Sequence, residues 1–189
     1  MLTFITGNKG KFEEVQAILP QTVMLDIDLI EIQSLDPRQV IHHKLQEALS
    51  QHTGEFIVED VSLSCSGLNG LPGTLIKWFG KTVTFEMIPK MLEPFKDKRA
   101  KALCVIGYAK SPKDIHFFEG EVSGTIVSPK TKSRMGWDNI FLPDGYDKTF
   151  AEISIDEKNA ISMRGKAFRK LKMFLDERSI ATRNLRKQK

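Results

Sequence analysis

Residues 56–79, FIVEDVSLSCSGLNGLPGTLIKWF, decide how this chain is read. Phe56-Ile57-Val58 is an apolar run of the kind that forms a buried strand. It meets two carboxylates, Glu59 and Asp60. A glycine-rich turn follows, then a short amphipathic segment carrying Lys77 and Trp78. Carboxylates at the C-terminal tip of a buried strand stand where open α/β sheets bind ligands. Loops at that edge are held by a rigid scaffold, which suits catalysis. Taken alone, the pair is compatible with a solvated strand end as well as with a reactive centre.

Upstream, residues 2–5 read as a first strand and residues 6–11, Thr-Gly-Asn-Lys-Gly-Lys, as a turn. Phe12, Val15, Ile18 and Leu19 then recur at helical spacing, and Thr6 or Asn8 can cap that helix. Backbone N–H groups and the helix dipole at such a junction attract anions, and Lys11 adds a full charge. The GxxxxGK[ST] spacing of a P-loop is absent, and a plain turn with surface lysines has the same appearance. Residues 22–32 read as a second strand ending near Glu31. Asp36-Pro37 reads as an N-cap followed by proline at the first helical position. Val40, Leu45, Ala48 and Leu49 form the buried face of that helix, with Lys44 beside it.

Downstream, residues 75–79 read as helical. A further helix starts at Thr82 or Thr84 and runs through Leu92, with Pro89 bending or ending it. Residues 100–109, AKALCVIGYA, and 115–127 read as strands. The short connection Ser111-Pro112-Lys113-Asp114 favours an antiparallel hairpin. The order is βαβαβ-like at first and then a long hairpin. It predicts an α/β protein with a mixed sheet bent into two lobes and helices packed around it. Residues 133–152 read as a long structured loop whose Trp137, Phe141, Tyr146, Phe150 and Asp138 line a pocket for a flat ring or fold onto the core as a lid. The last helix, about 162–177, carries Ala167, Phe168, Leu171, Phe174 and Leu175 on one stripe, with Lys158 and Arg164 at or before its start.

The 189 residues suffice for one domain, placed at residues 1–177. Arg178, Arg183, Arg186, Lys187 and Lys189 make residues 178–189 a basic tail. Setting those five aside leaves 23 of the 28 basic residues against 24 acidic ones, so the body is nearly neutral. The two cysteines, Cys65 and Cys104, form no CxxC pattern, which argues against a zinc site or disulfide framework and suits a reducing compartment. The N-terminus lacks the apolar core of a signal peptide, and no stretch approaches the length of a membrane span. The expected setting is cytoplasmic.

Five separated segments carry charge that suits a single chemistry. Lys11, Lys44 and residues 158–164 are basic, while Glu31 and Glu59-Asp60 are acidic. Polyphosphate hydrolysis needs lysines for the oxygens and carboxylates for Mg²⁺ and water. The segments TGNKGKFEEV, VEDVSLSCSGLNGLPGTLIKWF, GWDNIFLPDGYDKTFAE and KNAISMRGKAF, in this order, resemble the inosine triphosphate pyrophosphatase family. The resemblance covers about residues 2–175. It implies an elongated two-lobed α/β fold, a homodimer, and Mg²⁺-dependent hydrolysis of the nucleoside triphosphates ITP, dITP and XTP to the monophosphate and pyrophosphate. It implies a phosphate-binding turn of Thr6, Gly7, Asn8, Lys9, Gly10 and Lys11, and a substrate-contacting Lys44. Glu31 and Asp60 match metal ligands, and Asp60 also matches the proton acceptor, with Val61 beside it. Met135, Gly136, Trp137 and Asp138 match the loop that holds base and sugar. Lys158, Met163 and Arg164 match further substrate contacts.

This chain departs from the family pattern around the base. Met135 stands where an aromatic residue is usual, Met163 replaces the histidine of a Ser-His-Arg motif, Val61 follows Glu-Asp in place of Thr or Ser, and Asn139 stands where proline is common. The phosphate and metal positions are intact. A methionine cannot donate a hydrogen bond and offers only a soft, adaptable contact. Altered base preference therefore stands beside the ordinary one. A catalytically weak nucleotide-binding or regulatory protein is a second class. A nucleic-acid binder using the basic tail is a third and is disfavoured.

Overall fold

Alternation along the long strands gives one sheet two apolar faces. The computed structural model describes residues 1–132 and 135–187. Its strands are β1 (Leu2–Ile5), β2 (Val23–Leu25), β3 (Glu55–Cys65), β4 (Pro72–Gly73), β5 (Arg99–Ser111), β6 (Asp114–Ile126) and β7 (Phe141–Pro143). They form one sheet in the order β2-β1-β3-β5-β6-β7, with β4 pairing to β3. β1 runs parallel to β2 and β3, while β3, β5, β6 and β7 are antiparallel in turn. The helices are α1 (Lys9–Gln16), α2 (Pro37–Gln51), α3 (Ile76–Thr82), α4 (Met87–Leu92), α5 (Ile155–Ile161) and α6 (Met163–Lys187).

Phe4, Ile57, Cys104 and Ile106 point to one face, where Val15 of α1 and Phe168 and Leu171 of α6 cover them. Ile5, Phe56, Val58 and Val105 point to the other, against Ile41, Leu45 and Ala48 of α2. Residues adjacent in a strand thus serve opposite cores, as a period of two requires. The hairpin expected at residues 111–114 is present, with Ser111 opposite Asp114. Among the described residues no helix is long and apolar enough to cross a membrane.

Four expectations are corrected. The second strand ends at Leu25 rather than near Glu31, because its partner β1 ends at Ile5, opposite Leu25, and leaves nothing further to pair with. β3 does not stop at Asp60. It continues to Cys65 because residues from Glu59 onward pair with β5, Glu59 opposite Ile106 and Cys65 opposite Ala100. The two carboxylates therefore lie in mid-strand, just beyond the parallel pairing with β1, which ends at Ile57. Lys158 belongs to a separate helix, α5, opened by a capping box between Ser154 and Glu157. The last helix runs past Glu177 to Lys187, and Arg178 bonds Asp114 of the hairpin through both guanidinium nitrogens at 2.9 and 2.7 Å. The expectation for the basic tail falls on Arg183, Arg186, Lys187 and Lys189, whose side chains lie outside the described residues, as do Ser133 and Arg134 of the aromatic loop. The rest of that loop folds onto the core, with Trp137 edge-on to Phe141 and Phe141 stacked on Phe150 at 5.3 Å.

The first turn of α6 is pressed onto β6 at Gly120. A Cβ there would lie 2.0 Å from the Met163 carbonyl oxygen and 2.7 Å from the Ala167 nitrogen. Backbone fills that space and cannot swing aside as a side chain could. Gly120→Ala is expected to destabilise the protein by roughly 2 kcal/mol or more, read as a lower urea midpoint.

Candidate active site

The turn between β1 and α1 is fixed by its own side chains. The Asn8 N–H donates to Thr6 Oγ1 at 3.1 Å, and the Lys11 N–H donates to Asn8 Oδ1 at 3.0 Å. Asn8 is thus the helix N-cap. This arrangement places the Lys11 ammonium 3.0 Å from Glu59 Oε1.

Glu59 and Asp60 project to opposite faces of β3. Glu59 faces α1 and α6, where Arg164 donates to it through Nε at 2.6 Å and Nη2 at 2.9 Å. Burial opposes its ionisation, but Arg164 and Lys11 hold the carboxyl well below the usual range. Asp60 faces α2. Lys44 Nζ lies 3.7 Å from its Oδ1, while its Oδ2 is buried without a hydrogen-bond partner. Burial outweighs Lys44 and Lys11 and pushes the Asp60 carboxyl up to about 6. Lys44 also bonds Glu31, which a second lysine, Lys77 of α3, grips from the other side. Burial works against ionisation of Glu31 too, yet the two lysines lower it to about 2.

These groups line a cavity of about 390 Å³. Val61, Phe85, Met135, Gly136, Trp137, Met163 and Arg164 also form its wall. Thr6, Gly7, Asn8, Lys11, Glu31, Lys44, Asp60 and Asp138 line it as well. Gly10 and Lys158 instead line an adjoining cavity of about 140 Å³, and Lys9, exposed at the start of α1, borders neither. Lys44 is more deeply placed than a position beside the buried face suggests, with 9% of its surface exposed.

A chain of buried charges runs along and beneath the cavity wall. Arg164 Nη1 donates to Glu14 Oε2 at 2.5 Å. Lys158 donates to Glu14 Oε1 at 2.7 Å and to Asp138 Oδ2 at 2.5 Å. Burial pushes the Asp138 carboxyl up against the pull of Lys158. Met163 is buried, and the Met135 thioether lies 3.7 Å from Arg164 Nη1.

Sequence reasoning assigns no role to Glu14, Lys77 or Phe85. A signal for Glu14 exists, since it shares the i, i+3, i+4, i+7 stripe of Lys11, Val15 and Ile18, where a carboxylate is out of place unless paired. Lys77 offers no more than its position after the glycine-rich turn.

A profile of the Ham1 family matches residues 2–174. The inosine triphosphate pyrophosphatase of Saccharomyces cerevisiae is 42% identical, the match covering 92% of this chain and 95% of that protein. The enzyme of the same name from Scheffersomyces stipitis is 40% identical, over 92% and 97%. Among solved structures, the Ham1 protein of Coxiella burnetii superposes with a TM-score of 0.81 at 26% identity, covering 94% of this chain and all of that one. The Staphylococcus aureus Ham1 protein gives 0.80 at the same identity and coverage.

Removing one member of a buried ion network leaves its partners uncompensated. Glu14→Ala is therefore expected to cost about 3–5 kcal/mol in urea unfolding. Glu31 supplies an acid limb. Its folded pKa lies below the ordinary 4.5, so its contribution is full above 4.5 and is lost as pH falls toward about 2. Urea midpoints followed across that window should fall less steeply in Glu31→Gln than in the wild type.

Proposed function

The chain belongs to the Ham1 family, and from that membership we propose that it hydrolyses ITP, dITP and XTP to the nucleoside monophosphate and pyrophosphate. One observation carries the reading. A single cavity is lined by Lys11, Lys44 and Lys77, by a carboxylate, Asp60, that keeps one oxygen without a partner and is raised toward neutral pH, and by the rings of Phe85 and Trp137.

The triphosphate is assigned to the turn at residues 6–11. Backbone N–H groups at the start of α1 and the ammonium groups of Lys11, Lys44 and Lys77 offer donors there. Each of these lysines rests on a carboxylate, Lys11 on Glu59 and the other two on Glu31. An arriving phosphate competes for the same ammonium groups, so binding exchanges partners within a nearly neutral site.

Asp60 is the proposed general base. Its Oδ2 has no partner to displace, and a carboxyl raised to about 6 combines ionisation near pH 7 with useful basicity. It takes a proton from a water attacking the α-phosphorus. The bond from that phosphorus to the bridging oxygen of the β-phosphate breaks, and pyrophosphate leaves with its charge met by the lysines.

The donor set also fits Mg²⁺. Glu31 and Asp60 are both approached by Lys44, and Mg²⁺ commonly takes one or two carboxylates, completing its shell with substrate phosphates and water. Among the described residues no three His, Cys, Asp or Glu side chains converge as a ready-made cage, so substrate oxygens complete the proposed set. When bound, the ion supplies neutralisation of charge on the phosphate oxygens. A cytoplasmic setting and a homodimeric assembly belong to the same proposal. The free, buried thiols of Cys65 and Cys104 support the first, and family membership supports the second.

Pyrophosphate release from ITP and XTP with Mg²⁺ tests the reading. Asp60→Asn is expected to lower kcat by at least about a hundredfold. Absence of release from every nucleoside triphosphate overturns it.

A further inference from the structure

Among the described residues, three aromatic rings line the cavity, those of Trp78, Phe85 and Trp137. Trp137 is 5% exposed and set edge-on against Phe141, so it belongs to the core. Trp78 is 46% exposed, with the Lys81 ammonium 5.3 Å from its ring centroid. Phe85 is half-buried in the cavity wall, beside Gly136.

The backbone around Phe85 is unusual in two respects. Thr84, a β-branched residue, has a φ of +65°, a left-handed conformation that such residues rarely adopt and that persists only when its surroundings impose it. The ring of Phe85 also lies over Gly80 of α3, where a Cβ would come within 2.2 Å of its Cζ. The turn is tied to the 135–140 loop as well. Asn139 Nδ2 donates to the Thr131 carbonyl at 3.2 Å and reaches Glu86 Oε1 at 3.5 Å. A strained turn, a glycine notch and a cross-loop contact therefore hold one aromatic ring at the wall of the cavity. Met135, across Gly136, presents a thioether rather than a flat face.

We propose that Phe85 is a specificity-determining residue that stacks on the purine of the bound nucleoside triphosphate. The proposal rests on the pyrophosphatase reading and deepens it by assigning the base contact. Stacking depends on the area of the π-face, so the ring favours a two-ring purine over a one-ring pyrimidine. Gly80 is the residue that lets the ring reach this position, and the left-handed Thr84 aims it.

The test measures KM and kcat for ITP and UTP, and the inhibition constant of inorganic tripolyphosphate, in the wild type, Phe85→Ala, Phe85→Leu and Phe85→Trp. In Phe85→Ala the KM for ITP is expected to rise about tenfold. UTP should be affected less, and the tripolyphosphate constant should hold because that probe has no base. Phe85→Leu keeps bulk against the core but loses the face, so it should resemble Phe85→Ala; it carries the test if the alanine protein fails to fold. Phe85→Trp should restore a low KM. Gly80→Ala, whose methyl forces the ring aside without altering Phe85 itself, should also raise the KM for ITP. A folded Phe85→Ala or Phe85→Leu protein that is less stable yet keeps its KM for ITP makes Phe85 a packing residue only and overturns the proposal. A wild-type protein inactive on every triphosphate would instead overturn the pyrophosphatase reading itself.

Discussion

The structure depends on one buried arrangement of charge. Lys11, Arg164 and Lys158 alternate with Glu59, Glu14 and Asp138 in a continuous series of ion pairs that begins in the cavity wall and runs beneath it. These side chains come from α1, β3, the 135–140 loop, α5 and α6, so five parts of the chain must arrive together before all of the charges are compensated. Buried ion pairs contribute little net stability compared with apolar packing, but a broken one is costly. The series therefore acts less as glue than as a fit requirement. Only one relative placement of the elements leaves no charge stranded. Gly120 makes that placement sterically accessible by letting α6 approach the sheet at backbone distance.

The same arrangement separates two adjacent carboxylates into different chemical states. Glu59 is engaged on both oxygens by Arg164 and is held ionised. Asp60, one residue on, faces a single lysine at longer range and keeps an oxygen without a partner. A strongly acidic group suits a structural counter-ion, and a group raised toward neutrality suits proton transfer. Environment, not residue type, divides the work.

Much of this is legible in the sequence because it rests on local chemistry. The Asn8 cap, the Asp36-Pro37 start of α2, the hairpin at 111–114 and the apolar alternation of β5 each follow from short-range rules. The long-range terms are not legible. Nothing local states that β3 will find six more partners on β5 after Glu59, or that β2 will lose its partner after Leu25. Lys158 reads as the prelude to one helix because α5 and α6 are separated by little more than Ser162. Glu14 is hidden by its surroundings. It lies on an apolar stripe, and the two cations that explain it are more than 140 residues away in sequence. The positions of Lys77 and Phe85 depend on how α3 and the turn after it fold back over the cavity, which composition does not encode.

The two-residue period of β3 has a consequence for how this protein tolerates change. Loss or gain of a single residue between Glu55 and Glu59 would leave a strand that still pairs with β5, yet the parity of everything beyond it would invert. The carboxylate that now faces Arg164 would then meet Lys44, and the one that now faces Lys44 would turn toward Arg164. Length variation in this strand is thus confined to even steps. Insertions of any length are far better accommodated in loops away from the cavity, such as the one after Pro143, where Tyr146 is open to solvent.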